Sequence, residues 1–329
     1  MIFILGSPRT GSTLLYQLLI KTYNLSYFNN MTNAYFYHTP YIGFYISRFF
    51  SPKISFQSDH GKTKGLLGPS EASKFFSYWF GGQNKIIKPY RDFYVLGQDT
   101  NTTPLKANNV IKSNRHFDIT EQDRISNNKN PLKANNVNSQ FKTSNKIHTP
   151  YRGFDIVNTF NSINRHIRSD LITKNAWNCF RIKLLTQLFP DIKFIWIRRD
   201  IIQSAASDLN ARYLRGGPYI WNSAYTHDFK DIIRRPYWEQ VVEQQYSYNK
   251  TIEDDLIQYC PNDNYIEIWY EDMCSHPNKC LENISKFLDL KIYETLYNLS
   301  SKKREEGDDL RKISNSVGSN QNKFEGYMK

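Results

Sequence analysis

The sequence predicts an α/β fold, a doubly wound parallel sheet flanked by helices, and three observations point there. Short and nearly continuous apolar runs stand at Met1–Leu5, Lys193–Ile197 and Tyr265–Tyr270. Runs of this length without polar alternation are strands buried on both faces. Each is followed, after a short turn, by a stretch whose apolar residues recur at helical spacing, and strands separated by helices pair in parallel.

Composition is compatible with that fold and excludes others. With 329 residues, 40% hydrophobic and 15% aromatic, the chain can bury a large core and is not collagen-like, coiled-coil or wholly disordered. No apolar run approaches the roughly 18–20 residues that a membrane helix needs. Met1–Leu5 meets Gly6 at once and lacks the basic start of a secretory signal, so a cytoplasmic location is expected. The four cysteines (Cys179, Cys260, Cys274 and Cys280) form no CxxC pair and have no histidine at metal-ligand spacing. They are expected as free thiols. The net charge of +12 suits anionic partners: nucleic acid, phosphorylated cofactors, acidic glycans or a membrane surface.

Along the chain, Met1–Leu5 is the first strand, residues 6–11 a glycine-bounded loop, and Ser12–Thr22 a helix with Leu14, Leu15, Leu18 and Leu19 on one face. Residues 27–50 are crowded with tyrosine and phenylalanine, which serves core packing or an aromatic acceptor pocket. Asp59–Pro69 reads as a basic, glycine-rich loop. Pro69-Ser70-Glu71 reads as a helix start, with Phe75, Phe76, Trp79 and Phe80 periodic behind it. Residues 172–189 read as one amphipathic helix ending before Pro190, followed by the Lys193–Ile197 strand and a helix from Ile201 to about Arg215. A long helix is expected at Tyr237–Tyr259, a third strand at Tyr265–Tyr270 and a helix at Pro277–Leu288. One domain over 1–300 is expected, followed by a polar tail over 301–329 that is mobile.

The stretch from about 101 to 146 stands apart. It is rich in Asn, Lys and Ser, and the heptapeptide PLKANNV at Pro104–Val110 recurs at Pro131–Val137. Too few large apolar residues are present to offset ordering entropy, so a flexible surface insertion within the domain is expected.

Two motifs carry chemistry. Gly6-Ser7-Pro8-Arg9-Thr10-Gly11-Ser12-Thr13 lies between a strand and a helix, where backbone N–H groups and the helix dipole hold a phosphate. It is P-loop-like. However, the lysine of an ATP-binding loop is replaced by Ser12, and the strong cation is Arg9 in mid-loop. A kinase needs that lysine and a bound metal, so the loop suits a phosphate-linked group that needs none. The second motif is Phe194-Ile195-Trp196-Ile197-Arg198-Arg199-Asp200, with Ser207 eight residues after Arg199. An arginine at the C-terminal edge of a strand and a hydroxyl two turns into the next helix grip a second phosphate.

Taken together, PRTGST, LFPDIKFIWIRRDIIQSAAS and YEDMCSHPNKCLENISKFLDL resemble the sulfotransferases that use 3'-phosphoadenosine 5'-phosphosulfate (PAPS), in their bacterial branch. Ile201 stands where that branch has proline. The likeness covers 1–100 and 150–290. It implies that Arg9 binds the cofactor and stabilises charge on the transferring sulfuryl group and the leaving phosphate, and that Thr10, Gly11, Ser12 and Thr13 hold the 5'-phosphate. It further implies that Arg199 and Ser207 hold the 3'-phosphate, that Tyr270 contacts the adenine side, and that no metal is required. For the general base that such a transfer needs, Glu71 and His60 are the candidates and His38 a more distant one. Lys174 resembles the lysine ahead of the branch's FPD segment, where it assists the acceptor or the sulfuryl oxygens.

The expected function is transfer of a sulfuryl group from PAPS to an acceptor hydroxyl: a glycan, a lipid, a small molecule or tyrosine. Two alternatives are a non-catalytic basic binding protein and a sulfotransferase decayed by the insertion, which falls between Glu71 and Lys174. A P-loop kinase is less consistent with Ser12. No nucleic-acid partner is expected, because Lys and Arg are scattered rather than gathered in a stripe. Oligomeric state is not legible.

Overall fold

A computed structural model of the chain describes residues 1–36, 41–47, 49, 54, 56, 58–59, 62–80, 156–167, 169–294, 299 and 307–329. The insertion with its PLKANNV repeat, His38 and His60 lie outside these residues.

The central sheet has five parallel strands in the order β2-β5-β1-β6-β7. They are β1 Ile2–Leu5, β2 Ser26–Tyr27, β5 Leu171–Lys174, β6 Lys193–Arg198 and β7 Tyr265–Trp269. A separate antiparallel pair, β3 Ser58–Asp59 with β4 Lys62–Thr63, occupies part of the segment read as a basic loop. β1 sits centrally, pairing with β5 through Ile4↔Lys174 and with β6 through Leu5↔Trp196.

Alternation along the strands fills two apolar layers. Ile2, Ile4, Ile172, Ile195, Ile197 and Ile268 face helices Ser12–Tyr23, Tyr270–Ser275 and Pro277–Leu288. On the other face, Phe3 meets Phe194 and the Phe76 ring of helix Ser73–Phe80. Phe75 of that helix meets Phe160 of helix Ile156–His166. All β1 residues are buried, as a central parallel strand requires.

Two expectations are corrected. Residues 172–189 are not one helix: Leu171–Lys174 is β5, Ala176–Phe180 a 3₁₀ turn and Ile182–Leu188 a helix. Leu171, Ile172 and Thr173 are fully buried in the sheet, so tertiary pairing outweighs helical periodicity. Asn175 then caps the turn, its side chain accepting from the Trp177 N–H at 2.9 Å.

The described part of the C-terminal segment, 307–329, is not a mobile tail. Helices Asp308–Gly318 and Gln321–Phe324 bring Ile313, Val317, Phe324 and Tyr327 into a core with Ile201, Ala205 and Leu209 of helix Ile201–Leu214 and Val241 and Val242 of helix Tyr237–Tyr259. Its four apolar anchors are sparse but converge on that one core, which mean composition conceals.

Candidate active site

The loop after β1 is shaped by close approaches. A Cβ on Gly6 would stand 2.8 Å from the Ile197 carbonyl oxygen, so only glycine lets β1 leave the sheet beside β6. Thr10 closes the loop by donating from Oγ1 to the Ser7 carbonyl at 2.9 Å. Gly11 has φ +83°, and a Cβ there would meet the Tyr270 ring at 2.4 Å. Gly11 is also the cap residue of helix Ser12–Tyr23, which has no side-chain cap and no acidic residue in its first turn. Its first amides and positive dipole end are therefore directed at the loop, a donor set that fits phosphate oxygens.

Arg9 takes a left-handed conformation, φ 69°, and its side chain crosses to the second motif. Its Nε donates to Ser207 Oγ at 3.2 Å. Arg199 returns the contact: Nη1 donates to the Arg9 carbonyl at 3.0 Å. The two segments read separately in the sequence thus touch at two points. Arg199 is buried, its guanidinium 4.6 Å from the Tyr270 ring centroid and its Nε 4.0 Å from Glu271 Oε1. Burial draws its pKa below the ordinary guanidinium value, against the opposing effect of Tyr270 and Glu271.

The structure separates the two adjacent arginines. Arg198, the last residue of β6, lies on the opposite side with its guanidinium 4.7 Å from the Trp196 ring, 4.6 Å from Trp269 and 5.0 Å from Tyr327. Its Nη1 donates to Glu267 Oε1 at 2.9 Å, and it also donates to the Gly326 carbonyl. Arg199, one residue later, turns to the loop. Asp200 caps the following helix, accepting from the Gln203 N–H at 2.9 Å.

Glu71 and Lys174 form an ion pair across 103 residues of sequence. Lys174 is the last residue of β5, registered against Ile4 of β1, so the pair stands at the same strand ends as the loop. Asn175 holds Glu71 from below, donating from Nδ2 to its backbone carbonyl at 2.9 Å. Glu71 precedes the helix rather than lying in its first turn, because the helix starts at Ser73 after Ala72 with φ 50°.

Sequence reasoning missed three contributors. Cys179 and Asn249 touch the loop from beneath, and Glu271 approaches Arg199. Glu271 follows Tyr270 inside the recognised Tyr-Glu-Asp segment, whereas no local signal marks a buried cysteine or a mid-helix asparagine.

This geometry defines a P-loop-like α/β protein whose glycine-bounded loop after β1 meets Arg199 and Ser207 at the C-terminal ends of the strands. A family model described as the sulfotransferase family matches residues 2–294, and the chain belongs to that family. Among solved structures it is similar to the sulfotransferase domain from the curacin biosynthetic pathway, with 17% identity, 95% of this chain and 82% of that chain covered, and a TM-score of 0.41. It is also similar to the sulfotransferase domain of the Synechococcus PCC 7002 olefin synthase, with 17% identity, 88% and 73% covered and a TM-score of 0.40. For sulfotransferase STF9 from Mycobacterium avium the values are 11%, 97% and 67%, and 0.44. No curated protein matches the chain. Among the described residues, no helix is long and apolar enough to cross a membrane.

Proposed function

We propose that this chain transfers the sulfuryl group of PAPS to an acceptor hydroxyl. The observation that carries this reading is the mutual contact of Arg9 with Ser207 and of Arg199 with the Arg9 carbonyl. It joins two anion grips, matching a donor charged at both its 5' and 3' ends. Thr10, Gly11, Ser12 and Thr13 hold the 5'-phosphate through backbone and hydroxyl donors, Arg199 and Ser207 hold the 3'-phosphate, and the Tyr270 wall borders the adenine side.

Catalysis in this reading is in-line positioning plus electrostatic stabilisation of spread charge, and it needs no metal. The acceptor oxygen forms a bond to sulfur as the bond from sulfur to the bridging phosphate oxygen breaks. Arg9 stabilises the negative charge that grows on that oxygen. The acceptor proton passes to the Glu71 carboxylate. Lys174, already paired with Glu71, orients it and faces the sulfuryl oxygens. The products are a sulfate ester and 3',5'-adenosine bisphosphate. The direct Glu71–Lys174 contact argues against a site decayed by the insertion, because the two residues flanking that insertion still meet.

Calorimetric titration with 3',5'-adenosine bisphosphate, without added metal, tests the donor assignment. Low-micromolar or tighter binding, weakened about 10- to 150-fold in Arg199→Ala, supports it. No binding by folded wild-type protein overturns it.

A further inference from the structure

The residues beneath the loop have no part in the chemistry described so far, yet two of them are hydrogen-bonded to it. Gly6 has run past the end of β5, whose last register partner on β1 is Ile4. Its N–H and C=O are buried and need partners that the sheet no longer supplies on that side. Cys179 supplies both: its Sγ accepts from the Gly6 N–H at 3.4 Å and its thiol donates to the Gly6 carbonyl at 3.4 Å. One residue later, Asn249 of helix Tyr237–Tyr259 donates from Nδ2 to Ser7 Oγ at 3.4 Å and to the Gln245 carbonyl at 2.9 Å. Ser7 is fully buried and its carbonyl takes the Thr10 hydroxyl, so Asn249 and Thr10 fix the residue from two sides.

We propose that Cys179 and Asn249 are positioning residues for the donor loop, setting the path of Gly6 and Ser7 so that the amides of residues 9–13 are aligned before the donor binds. The proposal rests on the PAPS reading of that loop. The Cys179 thiol suits the task because it both donates and accepts at one atom. Burial pushes its pKa up to about 11, so the proton needed for donation is retained at neutral pH. At the other end of its 3₁₀ turn, Asn175 donates from Nδ2 to the Glu71 carbonyl at 2.9 Å, so the turn touches both the loop and a member of the ion pair. The 3₁₀ turn that follows Lys174 is therefore a strut linking the two sides of the site.

The test uses the full chain with Cys179→Ala, Cys179→Ser and Asn249→Ala, reading the Kd for 3',5'-adenosine bisphosphate and the thermal midpoint of each. If the whole net contribution of one such hydrogen bond goes into aligning the loop, its loss weakens binding by at most about two- to thirteenfold. We expect Cys179→Ala and Asn249→Ala to bind within that range. Cys179→Ser keeps a donor and an acceptor at the same place and should return to within about twofold of wild type. A role limited to packing moves the midpoint in all three variants and leaves Kd of the folded protein at the wild-type value, and that result overturns the proposal. It is also overturned if serine binds as weakly as alanine. Wild-type protein that binds no bisphosphate instead removes the donor reading on which the proposal stands.

Discussion

The two sides of the proposed site share one sheet edge but are assembled in different ways. The donor side is built from two short motifs that meet across 190 and 198 residues, each carrying its own local geometry: glycines where the backbone must approach β6 and Tyr270, an uncapped helix start, and an arginine at a strand end. The acceptor side is one ion pair between a residue preceding a helix and a residue ending β5, brought together across 103 positions. Local motifs can encode an anion grip almost alone, because backbone amides do most of the binding. A positioned base depends on long-range packing and leaves only scattered traces in sequence.

That division has consequences for mutation. Replacing Glu71 with glutamine should act on turnover alone. Removing a general base costs about 10²–10⁴-fold in rate, while 3',5'-adenosine bisphosphate should bind as it does to wild type. The assay is transfer of labelled sulfuryl from PAPS to a panel of glycan, lipid, phenol and tyrosyl-peptide acceptors. A variant that also loses bisphosphate affinity would show that the two sides are one unit and break the distinction.

Arg9→Ala should come next, with turnover lower by about 10²–10³-fold, the scale for removing one donor to developing charge. Because the Arg9 carbonyl, which receives Arg199, survives truncation of the side chain, bisphosphate affinity should fall far less than turnover. Equal losses in both would place Arg9 in ground-state binding.

Arg199→Ala should reverse that pattern. A charge-assisted hydrogen bond contributes about 1.5–3 kcal/mol, or about 10- to 150-fold in bisphosphate Kd. The matching Arg198→Ala variant should leave Kd nearly unchanged, since Arg198 is enclosed by Trp196, Trp269 and Tyr327 away from the loop. Comparable losses in both variants would erase the separation of the two arginines.

Legibility followed the same line. β1, the loop, helix Ser12–Tyr23 and β6 could be read directly, because residue type and spacing there answer to local backbone chemistry, whereas the contact of Ser207 with Arg9 rather than with Arg199 could not. β5 could not. Its four residues run without a break into Asn175 and a 3₁₀ turn, and Ile172, Leu184 and Leu185 lie at spacings a helix would also use. Only the neighbouring β1 and β2 make it a strand. Cys179 and Asn249 were illegible for a related reason: each acts through a backbone or hydroxyl partner more than 170 residues away.

The C-terminal segment was misread on composition, and its correction yields the smallest effect. Tyr327 donates from its hydroxyl to Glu253 Oε2 at 2.6 Å while its ring lies 5.0 Å from the Arg198 guanidinium. Tyr327→Phe keeps the ring and the contact with Arg198 and deletes only the hydroxyl. The expected cost is about 1 kcal/mol, a fall of about 2 °C in thermal midpoint for a chain of this size, with bisphosphate Kd unmoved. The segment also reaches the donor edge, however: the Lys329 N–H donates to Asp200 Oδ2 at 3.0 Å, beside the carboxylate oxygen that caps helix Ile201–Leu214. If Tyr327→Phe weakens bisphosphate binding by more than about twofold, the hold of residues 324–329 on Asp200 extends to Arg199. The long-range contacts that already join Arg9 to Ser207 and Gly6 to Cys179 would then be joined by one from the C-terminal segment, which would narrow the contrast with the acceptor side.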